Sequence, residues 1–122
     1  MSVAALTEVA RGSLPLRAFR GIPDEALAAV RVLGHQLAEA GRDDDARAVF
    51  AGLVALDPRD AYARTALATL CLRAGDALGA EAHLRTVLRD RPTDRAALVR
   101  LGAALLGQGR LDEAKKVLRL TR

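Results

Sequence analysis

One skeleton recurs along this chain at intervals of 34 residues, and that interval constrains the fold more than any single residue does. Leu33, Leu67 and Leu101 hold one place, and Gly41, Gly75 and Gly109 follow eight residues later. Ala46, Ala80 and Ala114 come five further on, then Phe50, Leu84 and Leu118 after four more, and Pro58 and Pro92 close the first two copies. A fixed period holding two helical patterns with a glycine between them marks a stack of helical hairpins. Each hairpin has too little apolar surface to stand alone and buries its open side against its neighbour.

The helix boundaries follow from local chemistry. Pro23, Asp24 and Glu25 suit a first helical turn, where a proline loses no hydrogen bond and carboxylates meet the positive end of the helix. This predicts a helix from about residue 24 to 40, with Gly41 as a left-handed terminator. Asp43, Asp44 and Asp45 open a second helix, which ends near Leu56 because Pro58 disfavours helical geometry at Asp57. The cycle repeats from Asp60 to Ala74, from near Asp76 to the residue before Arg91, from Asp94 to the breaks at Gly107 and Gly109, and from Leu111 to Leu120. Ahead of these, the apolar spacing of Val3, Leu6, Val9 and Ala10 predicts a short helix over residues 2–11. Residues 12–22 form a connector whose Leu14, Leu16, Phe19 and Ile22 are apolar enough to fold back over the first repeat. The expected organisation is residues 1–22 as N-terminal helix and connector, then residues 23–122 as one domain with repeats at about 27–60, 61–94 and 95–122.

Within that register the chain resembles the tetratricopeptide repeat. The family favours a large residue followed by a small one in the first helix, here Leu33-Gly34, Leu67-Ala68 and Leu101-Gly102, followed by Leu37, Cys71 and Leu105. It places a small residue and a large plug in the second helix, here Ala46 with Phe50, Ala80 with Leu84, and Ala114 with Leu118. The early aromatic of the family is replaced by Val30, Arg64 and Leu98, and Arg64 is expected to point outward or leave its repeat locally loose. The resemblance implies an all-α, right-handed superhelix of three helix-turn-helix repeats. It also implies a concave groove lined by the first helices, at Ala28, Arg31, His35 and Glu39, then Tyr62, Thr65, Thr69 and Leu72, then Val99, Arg100, Ala103 and Leu106. These residues suit an extended, mostly apolar peptide, with Tyr62 either anchoring the ligand or packing on the preceding helix. Arg31 and Arg100 occupy two places of a carboxylate clamp known in the family, but His35, Thr69 and Ala96 replace its asparagines and lysine. Two arginines are insufficient for that clamp.

Little else in the chain points to chemistry. His35, His83 and Cys71 do not make a metal-ligand cluster, and no glycine-rich phosphate loop is present. Asp43, Asp44 and Asp45 lack the spacing of a calcium loop and read as a helix start. Asp43 with Arg47, Asp60 with Arg64, and Glu81 with Arg85 are helical pairs of small individual worth. No enzyme, cofactor or metal is expected. The net charge is +4, but the basic residues sit towards the two ends and the body is mildly acidic. With Phe19, Phe50 and Tyr62 as the only aromatics, the stacking platforms of a nucleic-acid groove are missing. No apolar run approaches the roughly 18–20 residues of a membrane span. Glu8 and Gly12 interrupt what a signal peptide would keep apolar. The lone Cys71 fits a reducing compartment, so a cytoplasmic protein with a protein or peptide partner is expected.

A narrower resemblance lies in Gly21-Ile22-Pro23-Asp24-Glu25, Leu33-Gly34-His35-Gln36-Leu37, Ala40-Gly41-Arg42 and Leu56-Asp57-Pro58-Arg59-Asp60. That run is similar to the opening of the class II chaperones of bacterial type III secretion, and a needle-subunit co-chaperone of the same systems has a similar length. The resemblance implies a chaperone that holds an extended segment of a translocator subunit in its groove before export. The alternative is a general repeat scaffold or assembly factor with no secretion role. Leu101, Leu105, Leu118 and Leu120 lie in the last pair with no capping helix after them, which predicts an uncovered apolar face and a symmetric homodimer, through either this face or the apolar N-terminal segment around Leu6 to Phe19. A last repeat small enough to collapse on itself would instead leave a monomer.

Overall fold

The computed structural model describes residues 21–121. Among them it contains six helices and no strand: α1 (Asp24–Glu39), α2 (Asp43–Leu56), α3 (Ala61–Arg73), α4 (Ala77–Asp90), α5 (Arg95–Gly107) and α6 (Leu111–Arg119). The all-α class and the helix boundaries agree with the sequence to within about a residue at each end. The N-terminal helix over 2–11 and the apolar connector residues Leu14, Leu16 and Phe19 lie outside the described residues.

The turns are built the same way in every copy. Gly41, Gly75 and Gly109 have φ of +77°, +79° and +73°, the left-handed conformation that costs glycine nothing. Just beyond each glycine, the amides of Arg42, Asp76 and Arg110 reach back five residues to the carbonyls of Leu37, Cys71 and Leu105 at 2.8–2.9 Å. These bonds satisfy carbonyls that the helix end would otherwise orphan. At the other junctions, Asp60 and Asp94 accept the amides of Ala63 and Ala97, each at 3.0 Å, and so cap the starts of α3 and α5. Asp76 caps α4 by accepting the amide of Gly79 at 2.9 Å.

The chain forms two compact units, divided after Ala63. In the first, α1 packs on α2, and Val30, Ala46, Val49, Phe50 and Leu53 are buried. Gly34 is the close-approach position: a Cβ there would stand 2.8 Å from Cζ of Phe50. In the second unit, α4 packs on α5 and α5 on α6, around Leu67, Leu84, Leu98, Leu101 and Leu105. Gly102 repeats the role of Gly34, since a Cβ there would lie 2.5 Å from Cδ2 of Leu118. The large-small pairing read from the sequence is thus a packing requirement. Leu33, Leu37 and Leu118 depart from the pattern by being only half-buried, and in the last helical pair Leu101 and Leu105 are buried while Leu120 is exposed. Arg64 also departs from expectation. It is half-buried and lies 3.1 Å from His83 Nδ1, because α4 places an acceptor where the other repeats have valine.

Candidate peptide-binding faces

The residues expected to meet a ligand fall into each unit separately. On α1, Ala28 and His35 are exposed and Arg31 is half-buried. Arg31 Nη2 donates to Oδ2 of Asp60 at 3.0 Å, and that carboxylate is buried. The other oxygen of Asp60 is the one that caps Ala63, so a single carboxylate both starts α3 and neutralises Arg31. Arg31 is thereby committed within the fold. His35 Nε2 lies 2.9 Å from Glu39, but both are well exposed, and a pair in water contributes little. Tyr62 packs on the preceding helix and keeps an open side. Its ring centroid is 6.1 Å from that of Phe50 at a tilt of 53°, yet half of the residue remains exposed.

The second unit brings expected residues into direct contact. Thr69 Oγ1 donates to the carbonyl of Thr65, four residues back on α3, at 3.1 Å. The same oxygen accepts from Nε of Arg100 on α5 at 2.9 Å. Nη1 of Arg100 donates to the carbonyl of Ala96 at 3.2 Å. The guanidinium is therefore held by two neutral acceptors, and among the described residues no carboxylate pairs with it. Among the described residues Nη2 donates no hydrogen bond. Around it on α5, Val99 is 45% exposed, Leu106 is 48% exposed and Ala103 is exposed, at the helical spacing that puts all three on one side. Leu72 and Thr65 are half-buried on α3.

Two further polar centres join residues that the sequence does not connect. Glu81 is buried on α4 and accepts from Gln108, from Arg85 and from Arg110 at 2.7–2.9 Å. The hydrogen bond from Gln108, helped by both arginines, outweighs burial and holds this carboxyl below its ordinary 4.5. Only the Glu81–Arg85 pair was visible as an i,i+4 spacing; Gln108 and Arg110 lie 27 and 29 residues away. Arg64 and His83 form the second centre, 19 residues apart. Among the described residues no three His, Cys, Asp or Glu side chains are placed to hold a metal, and Cys71 is a buried free thiol. No described helix is long and apolar enough to cross a membrane.

Comparison with known proteins agrees with this geometry. Residues 71–122 match the tetratricopeptide repeat family. No curated protein matches the sequence. Among solved structures, the first TPR of Spaghetti (RPAP3), bound to the HSP90 peptide SRMEEVD, is similar over 83% of each chain, with a TM-score of 0.74 and 23% identity. A mutant of MamA is similar over 99% of this chain and 96% of its own, with a TM-score of 0.75 and 17% identity. At such identities the likeness is one of fold: the chain folds as tetratricopeptide repeat proteins do.

Proposed function

We propose that this chain is a protein-interaction module that holds an extended, largely apolar peptide segment against its first helices, without catalysis. The observation that carries the proposal is Arg100, fixed by Thr69 and Ala96 beside exposed Val99, Ala103 and Leu106. Apolar side chains of a ligand would cover that side of α5, and Nη2 of Arg100 would donate to a backbone carbonyl or carboxylate of the same segment. In the first unit, Ala28, His35 and the open half of Tyr62 would supply contacts of the same kind. That the Spaghetti repeat holds a peptide supports this reading.

The test is recovery of the partner from native lysate, mapping of the bound segment by cross-linking, and titration of that segment. Replacing Val99 and Leu106 together by Glu should weaken binding more than tenfold, about 1.4 kcal/mol, with the helical circular-dichroism signal intact. Unchanged affinity would place the site elsewhere.

Within this class, the run from Gly21 to Asp60 supports a cytoplasmic chaperone of a secretion-system subunit. Recovery of a membrane-inserting export subunit, held unfolded, would support it; recovery of a folded partner would favour the scaffold. Self-association belongs to the same proposal, since Leu78, Leu111 and Leu120 all stand exposed. Light scattering at micromolar concentration reads it directly.

A further inference from the structure

The second repeat differs from its neighbours at one pair of places. Where the first and third copies carry Val30 with Val49 and Leu98 with Val117, the second carries Arg64 with His83. The contact is a hydrogen bond of defined polarity. A guanidinium can only donate, so Nδ1 of His83 must be the acceptor at 3.1 Å, which places the ring proton on Nε2 and leaves the imidazole neutral. Both residues are half-buried. The charged groups that act on the ring are Arg64 from α3 and Asp76 at the start of α4, and α5, which also packs on α4, adds none among the described residues. Asp76 is already engaged, its Oδ1 accepting the amide of Gly79.

We propose that the Arg64–His83 contact is an acid-released latch, which ties the first turns of α3 to the middle of α4 at neutral pH and opens when His83 takes a proton at Nδ1. Protonation removes the acceptor and sets an imidazolium against a guanidinium in a half-buried place. The two apolar pairs of the other repeats are inert to pH, so the effect is confined to this hairpin. Burial first, and then Arg64, hold His83 below its ordinary 6.5, with Asp76 opposing. The unfolded chain therefore binds this proton more readily than the folded one. The latch contributes fully above pH 6.5 and is lost as pH falls from there towards the folded-state value. Because α3 also carries Thr69, which holds Arg100, the loosening falls on the helix that positions the cation to which the proposed function assigns a ligand contact. That consequence rests on that reading; the latch does not.

The experiment uses the full chain without ligand. Nitrogen-15 NMR of the wild type should show His83 as the Nε2–H tautomer at pH 7.5 and a titration midpoint below 6.5. Denaturant melts at pH 7.5 and 5.5 should show the folded-to-unfolded ratio of the wild type falling about threefold or more beyond that of a Arg64→Leu, His83→Val double variant, which restores the apolar pair. Amide exchange, corrected for intrinsic rates, should accelerate in the first turns of α3 more than in α6. An Nδ1–H tautomer at pH 7.5, a midpoint at or above 6.5, or equal losses in wild type and double variant would overturn the latch. The NMR measurement needs no variant, so a double variant that fails to fold leaves the proposal open to refutation.

Discussion

At the scale of single residues, Gly34 and Gly102 do the same job with different tolerance. Both accept a large side chain from the second helix of their hairpin at a distance no Cβ would allow. Phe50, over Gly34, is a stiff ring buried on all sides, whereas Leu118, over Gly102, is only partly buried, so a turn about its Cα–Cβ bond can carry both Cδ2 and Cγ, the latter 2.7 Å from the added Cβ, towards the open side. Alanine in place of a helical glycine recovers about 1 kcal/mol of helix propensity, against about 1–3 kcal/mol for overpacking a core that does not yield. Gly34→Ala should therefore lower stability by about 1–2 kcal/mol, while Gly102→Ala should stay within about 0.5 kcal/mol of the wild type. Denaturant midpoints of the two variants check the contrast. Equal effects would mean that Phe50 yields as easily as Leu118.

At the scale of elements, Glu81 joins α4 to the α5–α6 turn. It collects Gln108, Arg85 and Arg110 on one buried carboxylate, and Arg110 also pairs with Glu113. Glu81→Gln keeps the shape but removes the charge that all these donors address, and should cost about 1–3 kcal/mol. Since the folded state holds this carboxyl below its ordinary 4.5, its stabilisation is complete above pH 4.5 and is lost as pH falls below that value. Acid melting curves of Glu81→Gln should accordingly be flatter than those of the wild type below pH 4.5, a window separate from that of His83. Leu67→Ala, in the buried part of α3, should cost about 2–5 kcal/mol through the cavity it leaves. Thermal or denaturant melts followed by circular dichroism measure both.

At the scale of the whole molecule, the charge of +4 does not concentrate on the residues proposed to meet the ligand, where Arg31 is already neutralised by Asp60 and Arg100 is the remaining cation. Binding of an apolar segment should then change less than about threefold between 0.05 and 0.5 M salt, because screening weakens charge contacts and leaves apolar burial intact. Calorimetric titration at the two salt concentrations tests this, and a loss of tenfold or more would point to an acidic ligand. The sequence alone determined where each helix starts and stops, which glycines turn left and, Leu33, Leu37 and Leu118 aside, which Leu, Ala and Phe build the core. Those properties are local: a positive φ, a carboxylate at a helix start and a spacing of three or four residues each depend on neighbours within one or two turns. Only the tertiary structure decided the polar pairings, Arg31 with Asp60, Thr69 with Arg100, Glu81 with Arg110 and Arg64 with His83. Three of these partners lie 29 to 31 residues apart. A long side chain with several rotamers finds its acceptor only once helix crossing has brought backbones together to within ångströms, and no spacing along the chain encodes that choice.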